Sequence, residues 1–307
     1  MKAYKSYGKL LLTAEYVVLD GALALAVPTK YGQDLHIETL ESPEIIWTSL
    51  DHEKQCWFTT SFKVLDIKNQ SLNTITPTDA SQRLLQILVA AHTLNPSFLN
   101  NNNGFKIITA LDFPRNWGLG TSSTLINNIA HWANVNPYKL LELTFGGSGY
   151  DIACAQNSKP ITYQITNNKT APIVKPVNFN PKFKDALYFV YLNKKQNSRE
   201  GIANYRALNL QNKTATINKI NTISLQLINC NTVDAFNSLI EQHEELIANI
   251  TKQSTVKALL FPDFNGAIKS LGAWGGDFIL VSSKTNPTAY FNSKGYQTMI
   301  PYEDMVL

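Results

Sequence analysis

The run Pro114-Arg115-Asn116-Trp117-Gly118-Leu119-Gly120-Thr121-Ser122-Ser123-Thr124 constrains this chain more than any other stretch. Before it, Phe105 to Leu111 reads as a strand; after it, Leu125, Ile126, Ile129, Ala130 and Ala133 recur at helical spacing. The pattern is strand, small-residue loop, helix. Gly118 and Gly120 let backbone N–H groups turn inward and let an anion come close, and Thr121 and Ser122 place hydroxyls where the helix begins. Free N–H groups and the positive end of the helix dipole attract phosphate. The same residues also suit a plain turn with a capped helix, and both readings stand on the loop alone.

The rest of the sequence narrows the class. With 307 residues, 44% apolar and 16% charged, the chain suits one large or two ordinary globular domains. A net charge of +4 without a dense Lys/Arg run gives no nucleic-acid signature, whereas a small anionic ligand fits. Cys56, Cys154 and Cys230 form no CxxC pair, so free thiols in a reducing cytoplasm are expected. Glu15 and Asp20 interrupt the apolar run that follows Lys9, and no stretch approaches the ~20 apolar residues of a membrane span. The expectation is a soluble, cytoplasmic protein with no membrane partner.

Along the chain, Tyr16–Leu19 and Ala22–Leu25 around Asp20-Gly21 read as a hairpin or strand pair, and Leu35–Trp47 and Trp57–Ile67 as strands. Asp79 suits the cap of a helix over Ala80–Leu94. Asn100–Gly104 reads as a polar loop. Beyond Asn136-Pro137, Tyr138–Phe145 suits a short helix, and Gly146-Gly147-Ser148-Gly149-Tyr150-Asp151 forms a second glycine loop. The polar, proline-bearing stretch Asn167–Lys184 marks a domain boundary, dividing residues 1–180 from 181–307. Ala186–Leu192 is a strand, and two long helical patterns follow, one of which carries His243 within its apolar stripe and so favours a core histidine over a ligand. Leu271-Gly272-Ala273-Trp274-Gly275-Gly276-Asp277 then precedes the strand Phe278–Val281.

Gly8-Lys9-Leu10 with Ala14-Glu15-Tyr16, the central loop, Gly147-Ser148-Gly149-Tyr150-Asp151 and Gly-Ala-Trp-Gly-Gly-Asp resemble, in that order and over nearly the whole chain, the GHMP kinases. This superfamily holds galactokinase, homoserine kinase, mevalonate kinase and phosphomevalonate kinase. The central loop is similar to its Pro-x-x-x-Gly-Leu-Gly-Ser-Ser motif, with Thr121 for the first Ser; it is not a Walker A sequence. Glu15-Tyr16, Gly147-Ser148-Gly149-Tyr150-Asp151 and Gly275-Gly276-Asp277 look most like the phosphomevalonate kinase branch, and Gly149 to Ala153 also resembles a bacterial GYDIA-type branch. The resemblance implies an α+β fold of two domains, an N-terminal ribosomal-protein-S5-like domain with a left-handed β-α-β crossover and a C-terminal ferredoxin-like domain. It implies ATP and Mg²⁺ as cofactors and leaves room for a homodimer.

By the same resemblance, Gly118, Leu119, Gly120, Thr121, Ser122 and Ser123 cradle the triphosphate, and Ser122 faces the Mg²⁺, with Thr121 as competitor. Lys9 lies near the transferred phosphate and stabilises its charge; Asp151 is the general base for a hydroxyl acceptor or orients Lys9. The acceptor falls to Glu15, Ser148, Gly149, Gln196, Ser198, Gly275 and Gly276, with Lys269 a further candidate. Glu142, the nearest match to a second Mg²⁺ carboxylate, reads as a solvated helix residue. Trp274 departs from the motif, standing where relatives have glycine, so its indole must point away or fill part of the pocket. The implied activity is phosphorylation of mevalonate or phosphomevalonate in isoprenoid precursor synthesis. Diphosphomevalonate decarboxylase, a homoserine or sugar kinase, and a catalytically silent ligand-binding protein of this fold are the alternatives.

Overall fold

In a computed structural model of the chain, residues 1–100, 103–166, 171–208 and 213–307 are described, so the Asn100–Gly104 loop and the boundary stretch from Asn167 lie partly outside the described residues. The first elements are β1 (Lys2–Leu11), β2 (Ala24–Leu40), β3 (Glu44–Leu50), β4 (Cys56–Lys63), α1 (Val64–Asn69), α2 (Ala80–Leu94) and β5 (Gly104–Leu111). Next come α3 (Thr121–Ala133), α4 (Pro137–Thr144), α5 (Tyr150–Gln156), β6 (Ile161–Gln164), β7 (Ile173–Pro176) and β8 (Leu187–Tyr191). The chain continues with α6 (Ser198–Ala207), α7 (Lys213–Ile228), α8 (Val233–Thr251), α9 (Val256–Leu260), β9 (Ala267–Ser270) and β10 (Phe278–Ser282). It closes with α10 (Thr288–Ser293), β11 (Met299–Pro301) and α11 (Tyr302–Met305). Strands pair into a large mixed sheet and a four-stranded antiparallel one.

Two compact units arise. One comprises Met1–Gly8, Tyr31–Arg115 and Leu119–Gln156; the other comprises Lys9–Lys30, Asn116–Gly118 and Asn157–Leu307. In the first, β3 pairs antiparallel with β4 and parallel with β5, and β5 pairs antiparallel with Gln33–Leu40 of β2. Alternation sends Leu35, Ile37, Ile45 and Trp47 to one core, where they join Ile87 and Leu88 of α2, Ile126 and Ile129 of α3, Leu140 of α4 and Ile152 of α5. Asp79 caps α2 as expected, its side chain accepting a hydrogen bond from the Gln82 N–H at 2.8 Å.

Buried polar groups fix α3. Ser6 Oγ donates to Asn128 Oδ1 at 2.7 Å, Asn127 Nδ2 to Ser6 Oγ at 2.9 Å, and Asn128 Nδ2 to the Gln33 carbonyl at 2.9 Å. Thr124 Oγ1 reaches Gln33 Oε1 at 2.8 Å. This network, complete except for Asn127 Oδ1, which has no partner among the described residues, holds the helix in one rotation, because each slipped register strands further buried donors and acceptors.

In the second unit the antiparallel sheet runs β11-β8-β10-β9, with helices between β8 and β9 and again between β10 and β11. That is the βαββαβ order of a ferredoxin-like domain. Val190, Ile268, Ile279, Val281, Phe261 and Phe291 build its core. Ala24–Ala26 of β2 pair with β6, and β6 with β7.

Three local expectations are corrected. The hairpin around Asp20-Gly21 is absent: Val17–Asp20 form a 3₁₀ turn closed by left-handed Gly21, because Ala14 and Tyr16 take positive φ and end the extended run. The strand expected over Leu35–Trp47 is two strands, β2 and β3, broken at Ser42-Pro43. The strand expected to Ile67 ends at Lys63, and Val64–Asn69 coil into α1, burying Val64 and Ile67. The three cysteines are free thiols.

Candidate functional site

In the first unit the chain leaves β5 and reaches α3 through Gly120, the helix N-cap, at φ +96°. No side chain caps this end. The three hydroxyls that follow part company. Ser123 is buried and donates to the Gly120 carbonyl at 2.8 Å. Thr121 is half-buried and Ser122 exposed, and neither hydroxyl bonds to another described residue. The first-turn N–H groups have no carbonyl a turn earlier to bind. Leu119 is fully buried, so its backbone alone can face a ligand.

The second glycine loop lies in the same unit and leads into α5, which packs against α3. Gly146, Gly147 and Gly149 have φ +66°, +109° and +86°. Ser148 and Asp151 are half-buried, and the Gly149 carbonyl accepts the Ala153 N–H at 3.1 Å, starting the helix. Asp151 Oδ1 accepts the Ile152 N–H at 3.0 Å. The Tyr138 hydroxyl is pushed up to about 12, first by burial, then by Cys154 and Asp151. Glu142 is exposed and pairs with Lys139 at 2.8 Å.

In the second unit Lys9 Nζ donates to the Gly118 carbonyl at 2.8 Å. Gly118, at φ +70°, leaves no room for a side chain: a Cβ would lie 2.2 Å from the Asp277 Cγ. Asp277 is raised by burial, an effect opposed by Lys9, the Gln196 N–H and Lys195. Its Oδ1 accepts the Gln196 N–H at 3.1 Å, and its own N–H donates to the Lys194 carbonyl at 2.7 Å. Gln196 Nε2 reaches the Trp274 carbonyl at 2.5 Å. A Cβ on Gly276 would lie 2.7 Å from the Lys194 carbonyl oxygen. Tyr191 donates its hydroxyl to the Asn116 carbonyl at 3.1 Å, and Trp117 meets Phe278 edge-on at 5.3 Å.

Lys9, Gly118, Gln196, Gly275 and Gly276 thus come together in one unit, while Leu119, Gly120, Thr121, Ser122, Ser123, Ser148, Gly149 and Asp151 belong to the other. Ser198 is an exposed first residue of α6. Glu15 has no exposed surface; its Oε1 accepts from Lys269 Nζ at 2.5 Å. Lys269 is itself buried and so faces protein carboxylates, not solvent. The indole of Trp274 is buried too, 2% exposed, with Lys269 Nζ 5.9 Å from its ring centre. Sequence reading missed Asp277, although it ends the Gly-Gly-Asp motif; its signal was a carboxylate fixed beside a glycine pair.

No protein-family model matches the chain, and no curated protein does. Solved structures do match. Methanococcus jannaschii mevalonate kinase is 16% identical with a TM-score of 0.70, covering 97% of this chain and 96% of its own. Streptococcus pneumoniae phosphomevalonate kinase, solved with phosphomevalonate and AMPPNP, is 17% identical with a TM-score of 0.69 and 96% of each chain covered. Lactococcus lactis galactokinase, solved with galactose, is 12% identical at a TM-score of 0.66, covering 95% of this chain and 88% of its own. The chain has the GHMP kinase fold. The identities are low and the acceptors of these relatives differ, so the likeness carries the architecture and not the substrate. Among the described residues no helix is long and apolar enough to cross a membrane, and no group of three His, Cys, Asp or Glu side chains gathers to hold a metal.

Proposed function

We propose that this GHMP-fold protein is an ATP- and Mg²⁺-dependent small-molecule kinase that phosphorylates mevalonate or phosphomevalonate in isoprenoid precursor synthesis. The carrying observation is Lys9 held against the Gly118 carbonyl, at a loop whose glycine is fixed by Asp277 and which runs into a helix start with unbonded hydroxyls. Each of these donors suits a triphosphate: the backbone N–H groups and two open hydroxyls of the helix start in one unit, and an ammonium in the other. The solved phosphomevalonate kinase complex supports ATP as the donor.

ATP with Mg²⁺ supplies the transferable phosphoryl group. The chain's work is positioning and charge. Gly118, Leu119, Gly120, Thr121, Ser122 and Ser123 form the cradle, with the Ser122 hydroxyl offered to the metal and Ser123 tying the turn. Lys9 neutralises charge that builds at the moving group. Asp151 takes the proton of a hydroxyl acceptor, or only orients the acceptor when this is a phosphate monoester, whose second pKa of about 6 leaves it ionised at neutral pH. Ser148, Gly149, Gln196, Ser198, Gly275 and Gly276 line the acceptor side, and Glu15, which has no exposed surface, supports that side only through its neighbours and touches no reactant. In this reading residues 1–180 form the nucleotide-binding domain and 181–307 its partner domain.

The test is ADP release with Mg²⁺-ATP against mevalonate, phosphomevalonate, diphosphomevalonate, homoserine and galactose, with Asp151→Asn alongside. One stimulating acceptor is expected. For a hydroxyl acceptor Asp151→Asn should lose about 10²- to 10⁴-fold in kcat; for phosphomevalonate the loss should be much smaller. Stoichiometric CO₂ release would mark a decarboxylase, and ATP binding without turnover on any acceptor would sink the kinase reading.

A further inference from the structure

A second cluster of charged residues lies in the same unit as Lys9 and takes no part in the proposed chemistry. Lys269 on β9, 1% exposed, donates from Nζ to Glu15 Oε1 at 2.5 Å and to Glu244 Oε1, on α8, at 2.9 Å. Glu244 Oε2 in turn accepts from Ser270 Oγ at 2.7 Å. His243, fully buried beside Glu244, accepts the Ala14 N–H on Nε2 at 2.9 Å, which makes Nδ1 the protonated nitrogen of a neutral ring. Glu15 Oε2, His243 Nδ1 and Trp274 Nε1 are buried with no partner among the described residues.

This arrangement is costly to bury and is not needed to fill space. Taking ions from water costs several kcal/mol each, and apolar residues of similar volume often serve stability as well. Its geometry shows what it does fix. Ala14 and Tyr16 stand at φ +68° and +63°, outside the comfortable range of side-chain-bearing residues, and flank the Glu15 that Lys269 grips. His243 holds the Ala14 N–H in that conformation. On the other side Lys269 lies under the Trp274 ring, and Trp274, at φ +41°, belongs to the bent segment between β9 and β10 that carries Asp277, itself at φ +52°. The cluster therefore grips both strained segments that flank the meeting of Lys9, Gly118 and Asp277.

We propose that Lys269, with Glu15, Glu244, His243 and the Trp274 indole, is a positioning unit that sets the Lys9–Gly118–Asp277 geometry, acting through the two strained segments and not on the substrate. Trp274, in place of a motif glycine, thereby belongs to the support of the site and not to its lining. The inference rests on the kinase reading only for its catalytic consequence.

The test measures amide hydrogen exchange in the full-length, ligand-free protein and steady-state kinetics in parallel, for Lys269→Met and for Glu244→Gln, which keeps the Lys269–Glu15 pair and guards against a variant that does not fold. Expected is exchange at Ala14 and Asp277 accelerated at least tenfold more than at Phe189 and Leu280 in the β8–β10 core, whose own acceleration measures the global loss of stability. Where an acceptor is turned over, kcat should fall at least tenfold while KM for ATP changes less than threefold. Uniform acceleration across the unit, or unchanged exchange at Ala14 and Asp277, would show a merely structural cluster and overturn the proposal. Absence of turnover with any acceptor would remove the kinase reading and leave the exchange result to decide this one.

Discussion

The start of α3 and the surroundings of Lys269 treat polar groups in opposite ways. At the helix start Ser122 is exposed and Thr121 half-buried, and neither hydroxyl meets another described residue, so nothing among the described residues competes for them. Around Lys269 an ammonium and two carboxylates are sealed from solvent and bonded to each other, and the imidazole of His243, equally sealed, is bonded to the Ala14 N–H. Open polar atoms at a dipole end are available to a ligand; sealed ones are committed to geometry. Substitutions in the two regions should therefore differ in what they change, stability in the sealed cluster and affinity in the open turn.

The largest effect is expected in the sealed cluster. Lys269→Met leaves Glu15 and Glu244 buried without their cation, and removing one partner of a buried ion pair costs about 3–5 kcal/mol. Urea unfolding of the intact chain should show a midpoint shift of that size at constant slope. A shift below about 1 kcal/mol would mean that solvent reaches the cluster, and the contrast with α3 would fail.

The two regions also differ in how they were written in the sequence. The helix α2 was legible because Asp79, a cap, precedes an apolar stripe, and both signals are local. The ferredoxin-like order was legible only through resemblance. The 3₁₀ turn over Val17–Asp20 was not legible: Tyr16 to Leu25 has strand-like residues, and what overrides them is a grip on Glu15 by a lysine 254 residues away. Likewise Lys269 read as a phosphate-seeking side chain, since burial of a lysine depends on two acids that sequence spacing cannot bring to mind. Asn127 and Asn128 anchor α3 through Ser6 and Gln33, contacts that no helical spacing announces. Local signals announce elements; long-range polar bonds decide how the elements that carry the site are held.

A middle-sized effect sharpens the cluster further through pH. Glu15 is pushed up to about 7, mainly by burial and against the pull of Lys269, with Glu244 adding to the rise. His243 is lowered well below its ordinary 6.5 by burial and then by Lys269. A raised acid in the fold contributes stability that is full below its unfolded pKa and is lost as pH climbs through the folded one. A lowered histidine does the reverse, losing stability as pH falls below 6.5 because the unfolded chain then binds the proton. Between about pH 4.5 and 6.5 the two slopes oppose each other, each worth about 1.4 kcal/mol per pH unit. Glu15→Gln should therefore make the chain lose stability more steeply than the native protein on acidification from pH 6.5. His243→Gln should make it lose less steeply or gain. Parallel slopes in all three proteins, from urea unfolding at pH 5.0, 6.0 and 7.0, would show that these two groups do not set the balance.

The smallest stability effect belongs to the open turn, and there two adjacent serines make the comparison within a single helical turn. Ser123 is buried and its hydroxyl closes on the Gly120 carbonyl, so Ser123→Ala should cost about 1 kcal/mol, the net worth of one hydrogen bond. Ser122 is exposed and bonds to no described residue, so Ser122→Ala should move the unfolding midpoint by less than about 0.5 kcal/mol. Affinity should rank the pair the other way. Calorimetric titration with Mg²⁺-ATP should show Ser122→Ala weakening binding several-fold through a lost oxygen ligand, whereas Ser123→Ala acts on binding only as far as it loosens the left-handed turn at Gly120. Equal losses of affinity in the two variants would mean that the turn's shape, and not the open hydroxyl, is what the nucleotide reads.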